Sequence, residues 1–464
     1  MNYWEFGAAE IVTGIKSGLF SAVEVAEGAL ARLNAANPRI NAIVDFQAER
    51  TLEAARRVDA QRATGQALGL LAGVPVTFKV VADQAGFATT NGLTMQREQI
   101  ATDDNPLVAH FKQAGAIPLG RTNTPAFSYR WFTNNRLHGA TRNPHNPMLT
   151  PGGSSGGAGA AVATGLGAIG QGTDIAGSVR YPAYACGVHG LRPTPGRVSY
   201  FNPSSPLRDI GQQFMSVSGP LARSVADLRL ALEVMAQGDP RDPVWTPAPL
   251  RGPVVPRHAA LCTHPAGMDI APRIVNELEL AARRLRDRGW RISRVDDVPP
   301  LREAAAEHVY LWMGDGYENR WTKALKEGDR GALATLAGQR EKVGGMDVAV
   351  FSNALTQRMV MLRKWQLFFE EYPVLLMPVS GELPFVDQLD LAGEQAYRRV
   401  WEAQIPLIGT AFVGVPGLSV ATGIEDGVPV GVQVVAGRFR EDLCLDAAAD
   451  IEADGFKPRV VDPA

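Results

Sequence analysis

The sequence predicts an α/β fold, a single large domain with a sheet core covered by helices. Three observations carry this. From Leu71 onward, short β-rich runs alternate with helical stretches, the texture of an α/β core. Near the C-terminus, apolar branched runs read as buried strands that rejoin the same sheet. No linker, internal repeat or low-complexity tract divides the 464 residues, a length that suits one big domain or two ordinary ones.

Residues 1–65 read as an N-terminal helical layer. Ser21-Ala22-Val23-Glu24 is a capping-box pattern, and Val23, Ala26, Leu30 and Leu33 follow at helical spacing. That helix is expected to stop near Asn37-Pro38, because proline disfavours helix in the residue before it. A second helix is expected from Ala48 to Arg62. GVPVTFKVVAD then reads as strand, HFKQAG as helix, and IPLGRTN as strand and turn. The small-residue run Ala158 to Gly170 reads as a buried, tightly packed helix. HAALCTHP reads as strand, Pro272 to Arg288 as an amphipathic helix, and WRISRVD as strand. Residues 300–370 read as mostly helical, and YPVLLMPVS and VPVGVQVVAG as buried strands.

Composition narrows the function classes. Hydrophobic content is 45% and charged content 20%, ordinary for a soluble globular chain. A net charge of −2 supplies no basic field for nucleic acid or an anionic membrane. Cys186, Cys262 and Cys444 are scattered and odd in number, which argues for a reducing, cytoplasmic setting over a disulfide framework. The seven histidines show no zinc spacing, so no structural metal is expected. The start, MNYWEFGAAEIVTG, lacks the basic and apolar regions of a signal peptide, and no run approaches the roughly 18 apolar residues of a membrane span.

The densest signal is PGGSSGGAGAAVATGLGAIGQGTDIAGSVRYPA, from Pro151 to Ala183. It holds three serines, one carboxylate (Asp174) and no histidine. Phosphate binding fits poorly: no lysine follows the glycines as a P-loop needs, and the dinucleotide spacing is absent. A nucleophile elbow fits only formally, because the preceding RNPHNPMLTP is a proline-rich loop and not a strand. His189, His258, His264 and His308 do lie downstream in the order such a triad takes. The third reading is a serine served by lysine. Lys79, among branched and aromatic neighbours, can act as a base only if burial keeps it neutral. Taken alone, it reads more simply as an edge-strand lysine facing solvent.

At this point the residues resemble a known family. GGSSGG, GTDIAGSVRYPA and CGVHGLRPTPGRVS, with GVPVTFK upstream and Ser154 and Ser178 placed 24 positions apart, resemble the amidase signature family. LNAANPRINAIV, GVPGLSV and DGVPVGVQVVAG extend the resemblance over most of the chain. It implies a twisted mixed sheet covered by helices, no cofactor, and a Ser–cis-Ser–Lys triad. Carried over, Ser178 is the nucleophile, Ser154 the bridging serine after a cis peptide bond, and Lys79 the base. Gly152 and Gly153 then supply a permissive backbone for the turn, and Ser155 supports it. Ile175, Ala176, Gly177 and Ser178 resemble the oxyanion hole, with Thr173, Asp174 and Arg180 holding the loop. Two positions depart from the family's habit. Ala176 stands where glycine is common, so a methyl is expected to narrow the site. Val80 stands where aspartate often follows the lysine, which should leave Lys79 drier.

The resemblance implies a small-molecule amide hydrolase, with carbamate or ester hydrolysis and an amidase subunit of a tRNA-dependent amidotransferase as alternatives. A homodimer is the assembly it suggests. In such proteins the segment after Asn123 helps to line the acyl pocket. Here it holds Phe127, Ser128, Tyr129, Trp131 and Phe132, which points to an aryl or apolar substrate. Core packing is the plain alternative for those aromatics. Arg130, Arg136 and Arg142 are candidates to meet a carboxylate, against the plain reading as surface charge. Residues 300–370 are expected to cover the site.

Overall fold

The computed structural model describes residues 1–464. Its strands, in chain order, are β1 (Ile43–Asp45), β2 (Pro75–Lys79), β3 (Ile117–Thr122), β4 (Asn134–Asn135), β5 (Gly139–Ala140), β6 (Ile169–Asp174) and β7 (His189–Arg192). They continue as β8 (Val217–Ala222), β9 (His258–Leu261), β10 (Arg291–Arg294), β11 (Val374–Pro378), β12 (Gly417–Glu425) and β13 (Val428–Ala436). Eleven form one sheet in the order β1-β3-β2-β6-β8-β7-β12-β13-β11-β9-β10, while β4 and β5 pair apart. The sheet is mixed, as the resemblance implies. β2 runs parallel to β3 and β6, and β9 runs parallel to β10 and β11. The strands between these groups are antiparallel. Helices Pro106–Gln113 and Pro272–Asp287 make the crossovers that parallel neighbours need.

Burial on both faces explains the composition of the central strands. Every residue of β2 and of β11 is buried. Lys79 therefore ends a strand flanked by β3 and β6, and the edge-strand reading is wrong. Helices Arg302–Val309, Tyr317–Glu327, Arg330–Val343 and Val348–Glu371 fill the region expected to be helical. No helix is long and apolar enough to cross a membrane.

Two expected boundaries move. The helix expected to stop near Pro38 spans Ala22–Ile40. Pro38 removes one backbone bond from the last turn. Asn37 compensates locally: its Oδ1 accepts from Ala42 and Ile43, and its Nδ2 donates to the Ile43 carbonyl. The same contacts launch β1, a strand inside the N-terminal helical layer. The helix expected over Ala158–Gly170 is Gly156–Ala163, and the chain then turns into β6. The run is apolar on every face, so no periodicity marks where helix gives way to strand.

Candidate active site

Three elements bring the polar groups together. β2 ends on Lys79, β6 carries Thr173 beside it, and the loop before helix Gly156–Ala163 carries Ser154. Lys79 Nζ stands 2.6 Å from Ser154 Oγ and 3.0 Å from Thr173 Oγ1. Its backbone N–H donates to Gln171 Oε1 at 3.1 Å. The side chain is wholly buried. Burial pushes its pKa down to about 7, although the charge of Asp174 pulls it upward. Val80, at the position where aspartate is common in the family, is also buried.

The peptide bond between Gly153 and Ser154 is cis. Gly153 passes so near the neighbouring backbone that a Cβ would lie 2.5 Å from the Arg130 carbonyl oxygen. Arg130 is fixed in turn by a two-pronged contact to Asp390, at 2.7 and 2.6 Å. Ser155 joins the three segments. Its N–H donates to the Ser178 carbonyl at 3.2 Å, and its Oγ accepts from the Thr173 N–H at 3.2 Å.

Beyond β6 the chain turns through 175–179 into helix Arg180–Ala185. Asp174 organises this turn. Its carboxylate accepts from the Gly177 N–H at 2.8 Å and from Arg180 Nε and Nη2, both at 3.0 Å. Burial alone would raise this carboxyl, but Arg180, Arg192 and the Gly177 N–H hold it well below the usual carboxylate range. Arg180 also reaches Thr410 Oγ1 at 2.6 Å and Gln433 Oε1 at 2.7 Å.

Each peptide plane of the turn is pinned at its carbonyl. Arg192 donates to Asp174 O, His308 Nε2 to Ile175 O at 2.8 Å, Trp131 Nε1 to Ala176 O at 2.9 Å, and the Tyr181 N–H to Gly177 O at 2.7 Å. A trans peptide directs its N–H opposite its carbonyl. The N–H groups of Ile175, Ala176 and Ser178 have no acceptor in the protein. That of Gly177 is taken by Asp174, so of the four residues that resemble the oxyanion hole three carry an N–H without a protein acceptor. Gly177 itself has φ 101°, and a Cβ there would lie 2.6 Å from Leu407 Cδ1.

A cavity of about 140 Å³ receives Ser154, Thr173, Ile175 and Ser178. Ser154 and Ser178 face it together but share no hydrogen bond. Phe127, Ser128 and Tyr129 line it, as expected of the segment after Asn123, together with Tyr200 and Trp312. Trp131 does not: it lies behind the turn, spending its N–H on Ala176 and stacking edge-on against Trp401. Phe132 packs on Phe385. Ala176 lies outside the lining, so its methyl does not narrow the cavity. His308 is buried against Trp312, and burial pushes its imidazole down to about 4. A neutral ring that donates from Nε2 leaves Nδ1 as an acceptor, and Nδ1 has no partner. Sequence reasoning gave no role at this site to Trp312 or Arg208, which no local pattern marks; Arg192 lies within CGVHGLRPTPGRVS without a role assigned to it, and His308 entered only as a triad histidine, not as a support of the turn.

The chain is similar to known proteins over nearly its whole length. The family model described as Amidase matches residues 24–445. An indoleacetamide hydrolase of Bradyrhizobium diazoefficiens is 42% identical over 97% of this chain and 86% of its own length. An acylamidase of Rhodococcus erythropolis is 31% identical over 97% of this chain and 95% of its own. The crystal structure of a bacterial aryl acylamidase of the amidase signature family superposes with a TM-score of 0.83, at 26% identity, over 97% of this chain and 96% of that one. With the fold, the matched motifs and these relatives in accord, the chain belongs to the amidase signature family and is an amidase hydrolase.

Proposed function

We propose that the protein hydrolyses small aryl or apolar amides through an acyl-enzyme on Ser178, with Ser154 as relay and Lys79 as base. The observation that carries this reading is Lys79: a buried amine, tuned to about 7, at 2.6 Å from a serine that shares a cavity with Ser178. A lysine is a base only when neutral. Burial among hydroxyl partners favours that form, against the upward pull of the Asp174 charge.

In the first half-reaction the Ser178 oxygen attacks the amide carbonyl. Its proton passes to Ser154 while the Ser154 proton passes to Lys79. The Ser178 hydroxyl turns toward Ser154 as it attacks, a contact that tightens with substrate in place. The oxyanion forms against the N–H groups of Ile175, Ala176 and Ser178, each donor contributing roughly 3 kcal/mol. The proton held by Lys79 returns through Ser154 to the leaving nitrogen as the C–N bond breaks. Water repeats the sequence on the acyl-enzyme and releases the acid. Phe127, Tyr129, Tyr200 and Trp312 supply an aromatic wall for the substrate body.

A substrate panel tests this: indole-3-acetamide, an anilide, an aryl ester, an aryl carbamate and L-glutamine, with wild type and Ser178→Ala. The expected result is turnover of the amides, none of glutamine, and a loss of about 10⁴-fold or more in kcat for the variant. A variant that keeps most of its rate, or turnover confined to the ester and carbamate, would overturn it.

A further inference from the structure

We infer that Arg208 receives a carboxylate carried by the substrate, so that the enzyme selects amides whose far end is anionic. This rests on the hydrolase reading above and specifies its substrate class.

Among the residues that line the catalytic cavity, Arg208 is the sole charged one. It is held in place. Its guanidinium carbon lies 4.9 Å from the centre of the Tyr200 ring, and Nη2 donates to the Gln212 carbonyl at 3.1 Å. Nε and Nη1 have no acceptor in the protein. Neither nearby carboxylate hydrogen-bonds to it. Asp209 pairs with Arg320, and Asp242, whose charge acts on Arg208 from a distance, accepts the backbone N–H groups of Tyr200 and Val244.

Arg208 is half-buried; the buried arginines show what satisfaction looks like here. Arg130, Arg180, Arg192 and Arg197 each meet a carboxylate. Arg223 donates to several backbone carbonyls instead. Arg208 has one carbonyl and no anion. A partly desolvated guanidinium with its fork unfilled matches a carboxylate, which it binds through two parallel N–H···O contacts.

The approach to the site points the same way. The cavity shares Arg208 and Gln212 with a wider entrance of about 360 Å³. That entrance carries Arg320 and Lys323 against Asp209 and Asp315. Asp209 is bound to Arg320, Asp315 accepts from the Ile210 N–H, and Lys323 has no ion-pair partner. With Arg208 the balance is positive, which draws anions inward. The arginines singled out in the sequence do not serve: Arg130 is bound to Asp390, Arg136 donates to the Glu327 carbonyl, and Arg142 is exposed and lines neither the cavity nor its entrance.

Two matched pairs test the inference. Glutaryl-p-nitroanilide against pentanoyl-p-nitroanilide places the carboxylate on the acyl side. 4-Acetamidophenylacetate against 4-methylacetanilide places it on the amine side. In wild type the anionic member of one pair should be favoured in kcat/KM by roughly 10- to 100-fold, the range of a charged hydrogen-bonded contact. Arg208→Gln should bring that ratio toward 1, and Arg208→Lys should retain part of it. Fluorophosphonate labelling of Ser178 in each variant reports an intact site. Turnover of the neutral amides with no charge preference would overturn this inference and leave the hydrolase reading standing. A preference that survives Arg208→Gln in a protein that still labels would do the same. No amide turnover and no labelling in wild type would overturn both.

Discussion

Lys79 and Asp174 end adjacent strands, β2 and β6, and both side chains are shut off from solvent. Burial opposes the charged form of each, yet the outcomes are opposite. Around Asp174 the chain gathers Arg180, Arg192 and the Gly177 N–H, and the carboxylate stays ionised. Around Lys79 it gathers two hydroxyls and an apolar strand, and the ammonium becomes easy to deprotonate. What separates a charge held in place from an amine that can lose its proton is therefore the partner set and not depth. The Asp174 side builds a rigid turn. The Lys79 side leaves a proton free to move.

The comparison breaks most visibly at Lys79. Lys79→Met should lower kcat by about 10³- to 10⁴-fold, because the members of such a unit fail together. Lys79→Arg should not rescue it, since a guanidinium does not deprotonate. The same methionine variant should be more stable, by about 1–2 kcal/mol at pH 6 in chemical denaturation. The sign follows from linkage. The folded amine titrates near 7 and the unfolded one near 10.4, so between those values the unfolded state holds more protons and wild-type stability rises with pH. The gain from methionine is therefore largest below pH 7 and fades toward pH 10.

Asp174→Asn attacks the other side. It leaves two buried guanidinium groups without their counter-charge, and denaturation should show a loss of about 3–5 kcal/mol. Equal stability in this variant would mean that the turn does not depend on the ion cluster.

A smaller effect is expected at His308, which acts through the turn. His308→Phe removes the donor to the Ile175 carbonyl and loosens the Ala176 N–H opposite it. The rate constant kcat should fall roughly 10-fold, with KM little changed, about half the free energy of losing a whole oxyanion donor. His308→Gln, which retains an N–H at similar reach, should recover most of it. A common loss in both variants, tracking lowered stability, would mark a purely structural residue.

Much of this site was legible because its parts lie close along the chain. Gly152 to Arg180 carry the cis-serine loop, Thr173, Asp174 and the turn with its spacing intact, and Lys79 sits in a strand with its own texture. Ser155 and Asp174 sit within that segment, and each bonds to backbone N–H groups of the neighbouring turn or strand. What lay outside the sequence's reach was tertiary. His308 is one histidine in an irregular helical region, and nothing nearby says that its Nε2 meets Ile175. Trp131 is two residues from Tyr129 in sequence, but its indole turns behind 175–179 to the Ala176 carbonyl while Phe127 and Tyr129 face the cavity. Arg208 sits in a loop whose charges resolve only when Asp209 is seen to choose Arg320. The Asn37 contacts that carry a helix past Pro38 are local but lie outside simple proline rules.

The central claim is that Lys79 is neutral near physiological pH and draws the proton that arms Ser178. The most direct measurement is the rate of fluorophosphonate labelling of Ser178, confirmed by peptide mapping, from pH 5 to 10. Labelling reads the nucleophile without an amide's leaving group. The account predicts a rate that rises with a single midpoint near pH 7 and then levels, and that loses this rise in Lys79→Met. A rate flat across the range, or a midpoint near 10, would contradict it.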